Sequence, residues 1–107
     1  MAGLLLGLLE NQKMPIKLSV AIATFNEEKN IRDCLKSIEN IADEIVIVDG
    51  SSTDNTVNIA KSFNAKVIIR DNPQNFHINK QLAFEKTTGD WILYLDADER
   101  VSKQLAD

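Results

Sequence analysis

The feature that most constrains this chain is an apolar run that ends in carboxylates. Trp91-Ile92-Leu93-Tyr94-Leu95 leads straight into Asp96-Ala97-Asp98-Glu99, and a turn signal, Thr88-Gly89-Asp90, precedes it. A short continuous apolar run bounded in this way reads as a strand buried on both faces. If the backbone stays extended past Leu95, the Asp96 and Asp98 carboxylates leave the same side. Two like charges on one face repel, and a divalent cation with oxygen ligands is the usual way to offset that. The plain alternative is an exposed acidic turn after a core strand, because the pattern Asp-x-Asp is short and common.

The rest of the chain repeats the pattern. Lys17 to Thr24 alternates Leu18, Val20 and Ile22 with small residues and reads as a first strand. Phe25-Asn26-Glu27-Glu28 breaks it, with Asn26 suited to a helix N-cap and the two glutamates to the positive end of the dipole. Ile31, Cys34, Leu35, Ile38 and Ile41 then recur at helical spacing. Asp43 to Asp49 is a second apolar strand that ends in a carboxylate. The polar turn Gly50 to Asp54 follows, and Val57, Ala60 and Phe63 mark the inner face of a second helix. Lys66 to Arg70 reads as a third strand and Asp71 to Asn75 as a loop. Asn75 is placed to cap a third helix carrying Ile78, Leu82 and Ala83, with Gly89 stopping it. Strands alternating with helices predict an α/β fold with a parallel sheet. In such a sheet the carboxyl ends of the strands share one edge, so Thr24 to Glu27, Asp49 to Ser51 and Asp96 to Asp98 are expected together.

Bulk properties narrow the partners. The 107 residues suffice for one small core, and the net charge of −4, with no basic stripe, argues against nucleic acid. Cys34 is the only cysteine, which excludes an intrachain disulfide and is compatible with a reducing compartment. No apolar run approaches the ~20 residues of a membrane-spanning helix. Residues 1–14 carry a leucine cluster, Leu4 to Leu9, without the flanks of a signal peptide. This extension is expected to lie outside the core, which occupies residues 15–107. A short helix resting on a membrane or on the domain is the alternative. Cys34 on an apolar helix face reads as a packed thiol, and His77 as a surface residue at a helix start.

Taken together, four motifs carry a specific resemblance. Thr24-Phe25-Asn26-Glu27-Glu28, Val48-Asp49-Gly50-Ser51-Ser52-Thr53-Asp54, Thr88-Gly89-Asp90-Trp91 and Leu95-Asp96-Ala97-Asp98-Glu99 follow one another as in family-two glycosyltransferases of the GT-A fold. The similarity spans about Leu18 to Glu99 and looks nearest to the branch that adds sugars to lipopolysaccharide core. It implies a three-layer α/β/α, Rossmann-like fold with a mostly parallel sheet. It implies a UDP-sugar donor, with Asp49 accepting from the uracil ring and Thr24, Asn26, Glu27 and Glu28 lining the nucleoside pocket. It places Asp96 near the ribose and gives Asp98, with Asp96, the binding of Mn²⁺ or Mg²⁺ on the diphosphate. Lys80 falls where such enzymes often carry a basic residue, although Gln81 departs from the asparagine usual beside it.

In the family, the base that deprotonates the acceptor hydroxyl lies well downstream of the Asp-x-Asp motif. No residue here matches it, so the chain is expected to be a donor-binding part, truncated after the fourth strand, with the acceptor half absent. The expected partners are a UDP-sugar and a saccharide or lipopolysaccharide-core acceptor, in the cytoplasm or at the inner face of the cell membrane, with peripheral membrane association open. A remnant that binds nucleotide without transferring sugar is the competing reading. A haloacid-dehalogenase-type phosphatase would place its Asp-x-Asp on the opening strand, and a phospho-receiver domain would want an acidic pair directly after that strand. Here the Asp-x-Asp follows three strand–helix units, and Glu27-Glu28 read as helical, so both readings rank below the first two.

Overall fold

The computed structural model describes residues 16–71 and 75–102. The leucine-rich extension and its expected boundary therefore lie outside the described residues. The elements in order are β1 (Leu18–Thr24), α1 (Glu28–Ile38), β2 (Glu44–Asp49), α2 (Thr56–Ser62), β3 (Lys66–Ile69), α3 (Phe76–Glu85) and β4 (Trp91–Tyr94). The strands form one sheet in the order β3-β2-β1-β4, and every pairing is parallel. Register sets Thr24 beside Asp49 and Ala21 beside Tyr94. The expected parallel α/β architecture is present.

Side-chain alternation along the strands builds two cores, one on each face. Val20 and Ile22 of β1 and Ile45 and Ile47 of β2 meet Ile31, Cys34, Leu35 and Ile38 of α1 and Ala60 of α2. The opposite face is thinner, with Ala21, Val46 and Val48 packed against Ala83 of α3. The α1 stripe is the one its spacing predicts, and Ile31, Cys34, Leu35 and Ile38 are fully buried. α3 differs. Its buried residues are Asn79 and Ala83, while Ile78 is 54% exposed. A helix lying on a face built of small residues turns Ala83 and its neighbour one turn earlier inward, which rotates Ile78 away.

β4 is also not the doubly buried strand that its composition predicts. Among the described residues it is an edge strand, with Trp91 39% and Tyr94 44% exposed. The Tyr94 ring stacks on Phe84 at 5.5 Å between centroids, so part of its apolar surface is covered by α3 rather than by the sheet.

The entry to β4 is held by side chains far away in sequence. Glu44 Oε1 accepts from Ser19 Oγ and from the Thr88 backbone N–H, each at 2.7 Å. Asp90 accepts from the Lys17 N–H at 2.9 Å, and the Asp90 N–H returns a bond to Lys17 O at 2.8 Å. Burial pushes the Glu44 carboxyl up. The bonds from Ser19 and Thr88, with the Lys17 charge, outweigh that and hold it below its ordinary range. Gly89 does not stop α3, which ends at Glu85 with Lys86 as its cap. Its N–H bonds Ser19 Oγ at 2.9 Å, and a Cβ there would press on that oxygen and lie 2.9 Å from both Lys17 O and Ser19 N. Glycine is needed for close approach. Gly89→Ala should therefore cost about 2 kcal/mol through forced displacement of the β1 entry. Urea unfolding checks this, and an unchanged midpoint would show that β1 yields freely.

Candidate functional site

The strand order puts a topological switch point between β1 and β4. β2 and β3 continue to one side of β1, and β4 lies on the other, reached by α3 across the opposite face. Ligands of open α/β sheets bind beyond the carboxyl ends of the strands at such a point. Thr24, the Asn26 to Glu28 segment, Asp49 and the Asp96 to Asp98 turn all follow carboxyl ends of parallel strands, so they lie on one rim.

Asp49 is the organising residue of the β2 end. It is fully buried. Its Oδ1 accepts from Thr24 Oγ1 at 2.7 Å and Ser52 Oγ at 2.6 Å, and its Oδ2 accepts from the Ser52 N–H at 2.7 Å. Thr24 is 1% exposed and spends its hydroxyl on Asp49. Both residues therefore tie the two strand exits together. Oδ2 keeps one lone pair free of the bonds found among the described residues.

The β1 exit loop is clasped to the β2 exit loop by a set of bonds that helix-capping rules do not anticipate. Asn26 is not the N-cap of α1. Its φ is 52°, its N–H donates to Ser52 Oγ at 2.7 Å, and its Oδ1 accepts from the Thr53 N–H at 2.8 Å. Asparagine tolerates this left-handed backbone better than most residues. The cap position falls to Glu27, whose side chain makes no capping bond. The helix start is capped instead from the β2–α2 loop and the first residue of α2. The Glu27 N–H donates to Thr56 Oγ1 at 2.8 Å and the Glu28 N–H to Asp54 Oδ2 at 3.2 Å. Asp54 Oδ1 also accepts from the Thr56 N–H at 3.0 Å and from its hydroxyl. Desolvation raises the Asp54 carboxyl, but the Thr56 and Glu28 donors prevail and lower it overall. Ser51, at φ 65°, is a second left-handed non-glycine residue on this rim. Backbone of this kind is retained where surrounding bonds over-determine it.

After β4 the chain does not stay extended. The Glu99 N–H bonds Asp96 O at 2.8 Å, closing a turn around Ala97 and Asp98, and Glu99 Oε1 accepts from the Asp96 N–H at 2.7 Å. This corrects the expectation that Asp96 and Asp98 project together from a strand. Ala97 is 3% exposed and pulls the turn onto the α1 core, leaving Asp98 exposed. Lys80 of α3 reaches across, with Nζ 2.7 Å from Asp96 Oδ1 and 5.6 Å from the centroid of the Phe76 ring. Cys34 lies behind the turn, its Sγ 3.7 Å from Asp96 O. Burial pushes its thiol up to about 11, so it is a packing residue and no nucleophile. Exposed His77 stands at the start of α3.

The structure thus groups Thr24, Asn26, Glu27, Glu28 and Asp49 in one clasp, and Lys80 with Asp96 in a second cluster. Ser52, Asp54 and Thr56 form the clasp's other side, a pairing with no local mark in the sequence. Asn79 joins the buried polar residues, 2% exposed with an Oδ1 that has no hydrogen-bond partner among the described residues. A polar residue at an inner-face position of α3, one turn before Ala83, was the available signal.

This arrangement has known counterparts. The model of the family described as Glycosyl transferase family 2 matches residues 19–106. The chain belongs to glycosyl transferase family 2. An uncharacterised glycosyltransferase of Rickettsia typhi is 44% identical over 92 residues, covering 85% of this chain and 31% of that protein. The glycosyltransferase SunS of Bacillus subtilis, of prophage origin, is 34% identical, covering 81% of this chain and 21% of that protein. This chain therefore spans about a third or less of the curated relatives it matches. The crystal structure of S. aureus TarS 1-349 in complex with UDP aligns with a TM-score of 0.73 at 29% identity, covering 82% of this chain and 29% of that one. Glucosyl-3-phosphoglycerate synthase of M. tuberculosis, in complex with Mn²⁺, UDP and glucosyl-3-phosphoglycerate, aligns with a TM-score of 0.63 at 26% identity, covering 88% and 39%. The sheet flanked by helices on both faces is the Rossmann-like arrangement of the GT-A glycosyltransferases. Among the described residues of this family-two chain, no helix is long and apolar enough to cross a membrane.

Proposed function

We propose that this chain is the donor-binding part of an inverting glycosyltransferase that uses a UDP-sugar together with Mn²⁺ or Mg²⁺. The observation that carries the reading is the Asp96 to Asp98 turn at the β1–β4 switch point, with the Lys80 ammonium beside it. The solved neighbours with UDP, and with Mn²⁺ and UDP, support the same donor chemistry.

The donor set suits such a cation. Among the described residues no three His, Cys, Asp or Glu side chains form a ready-made cage. Mg²⁺ seldom uses one; it keeps several waters and binds through one or two carboxylates plus substrate phosphates, and Mn²⁺ shares its taste for oxygen ligands. Asp98, with Asp96, would hold the ion, which when bound neutralises charge developing on the departing diphosphate. Asp49 would accept from the uracil ring N–H through its free Oδ2 lone pair, which requires the Ser51-Ser52 segment to open over it. Asn26, Glu27 and Glu28 would line the nucleoside side of the rim, held in place by Ser52, Thr53, Asp54 and Thr56. Lys80 would add a positive charge facing the phosphates. The acceptor would be a saccharide, within lipopolysaccharide or another cell-envelope glycan, and the reaction would run in the cytoplasm or at the inner membrane face.

Calorimetric titration with UDP tests this reading. Binding in Mn²⁺ should be at least about tenfold tighter than in excess chelator, as expected when an ion bridges carboxylates and phosphates. Equal affinity under both conditions would remove the metal from the proposal, and no binding under either would remove the donor.

A further inference from the structure

The Lys80–Asp96 contact has a consequence for the order in which ligands bind. We infer that the Lys80 ammonium is an exchangeable counter-ion that occupies Asp96 until a nucleoside diphosphate draws it off, so that metal and diphosphate bind cooperatively. The inference rests on the donor-binding reading above and adds the coupling element to it.

Three observations support it. First, Asp96 Oδ1 is enclosed, and the partner it has among the described residues is the Lys80 ammonium at 2.7 Å. Second, the ammonium is held from two sides, by that carboxylate and by the Phe76 ring face 5.6 Å away. Third, the root of the lysine is fixed while its tip is open to solvent. Its neighbour Asn79 is buried against the sheet side of α3, whereas the Lys80 and Asp96 side chains are 33% and 45% exposed. A flexible four-carbon stem on a rigid helix can move its charge by several ångströms without moving the backbone.

The chemistry follows from charge. A divalent cation approaching Asp96 meets an ammonium already seated on Oδ1, and the two cations repel. Metal alone therefore binds against Lys80. A diphosphate offers the ammonium a stronger set of oxygen acceptors, and once Lys80 turns to it, Oδ1 is released to the metal. The lysine has two positions, and each ligand favours the same one, which is what a coupling between two ligands requires. The pair is solvent-screened, so the effect is modest. Exposed ion pairs of this kind correspond to about a twofold to fivefold change in an equilibrium.

The test uses Mn²⁺ alone, followed by its paramagnetic resonance signal, and UDP alone, followed by calorimetry in chelator. Lys80→Met should bind Mn²⁺ about threefold more tightly and UDP without metal about threefold more weakly. The opposite signs are the signature. A structural role for Lys80 would weaken both, and a plain surface lysine would alter neither. Lys80→Arg keeps the charge and should behave as the parent, and Lys86→Met, which removes a charge at the far end of α3, should leave both affinities unchanged. Mn²⁺ affinity that is unchanged or lower in Lys80→Met, or Mn²⁺ bound by neither protein, would overturn the inference. If UDP binds to none of the proteins while Lys80→Met still tightens Mn²⁺, the donor reading and the coupling both fail, and Lys80 is left as a competitor of the metal at Asp96 alone.

Discussion

Asp49→Ala is expected to destabilise the fold by about 3 kcal/mol. The carboxylate is 0% exposed and accepts from Thr24 Oγ1, Ser52 Oγ and the Ser52 N–H. Alanine would leave the Thr24 hydroxyl without an acceptor at a position 1% exposed. A buried donor left unsatisfied costs about 1–3 kcal/mol, and bonds to a charged acceptor are at the strong end. Denaturant unfolding measures the loss, and for a domain of this size it should appear as a fall in Tm on the order of 10–20 °C. A loss below about 1 kcal/mol would show that the two exit loops are held by Asn26, Asp54 and Thr56 without Asp49. This burial also decides how the uracil contact is to be tested. A UDP titration on the alanine variant would mix weakened binding with a loosened rim. Asp49→Asn keeps the volume and one acceptor oxygen. It should weaken UDP while leaving the ratio of affinities with and without Mn²⁺ intact.

Asp98→Ala is expected to abolish the advantage that Mn²⁺ gives to UDP binding and to leave the fold unaltered. Asp98 is exposed at the corner of the Asp96–Glu99 turn, which is closed by backbone and by Glu99. Among the described residues no packing depends on its side chain, so unfolding curves of variant and parent should coincide. Removing a direct carboxylate ligand should cost no less than the ~10–100-fold in metal affinity that loss of an outer-shell partner costs. Titration of UDP into the variant should give the same affinity in Mn²⁺ and in chelator. A retained tenfold metal effect would mean that Asp96 and the phosphates suffice, and Asp98 would lose its assigned role. Asp96→Ala is a less clean probe, because it also releases Lys80.

The alternation of strands and helices, the α1 face of Ile31, Cys34, Leu35 and Ile38, the carboxylates at strand ends and membership of the family are all legible in the chain of amino acids. Each of these is local. Side-chain periods of two and 3.6 residues and short motifs are written in neighbouring positions, and a parallel sheet follows once strands alternate with helices. The remaining features came from the way the elements pack. It placed β4 at an edge, so that Trp91 and Tyr94 are half exposed although their run reads as core. It took Asn26 out of the capping role and gave the start of α1 to Asp54 and Thr56, 26 and 29 positions away, at the entry to α2. It used Gly89 for contact with Ser19, 70 positions away, where the sequence reads a helix stop. It bent Asp96 to Asp98 into a turn and brought Lys80 onto it. The physical reason is common to all of these. A capping bond, a close approach or an ion pair between distant residues depends on which elements lie side by side, and strand order has no local signature in the chain.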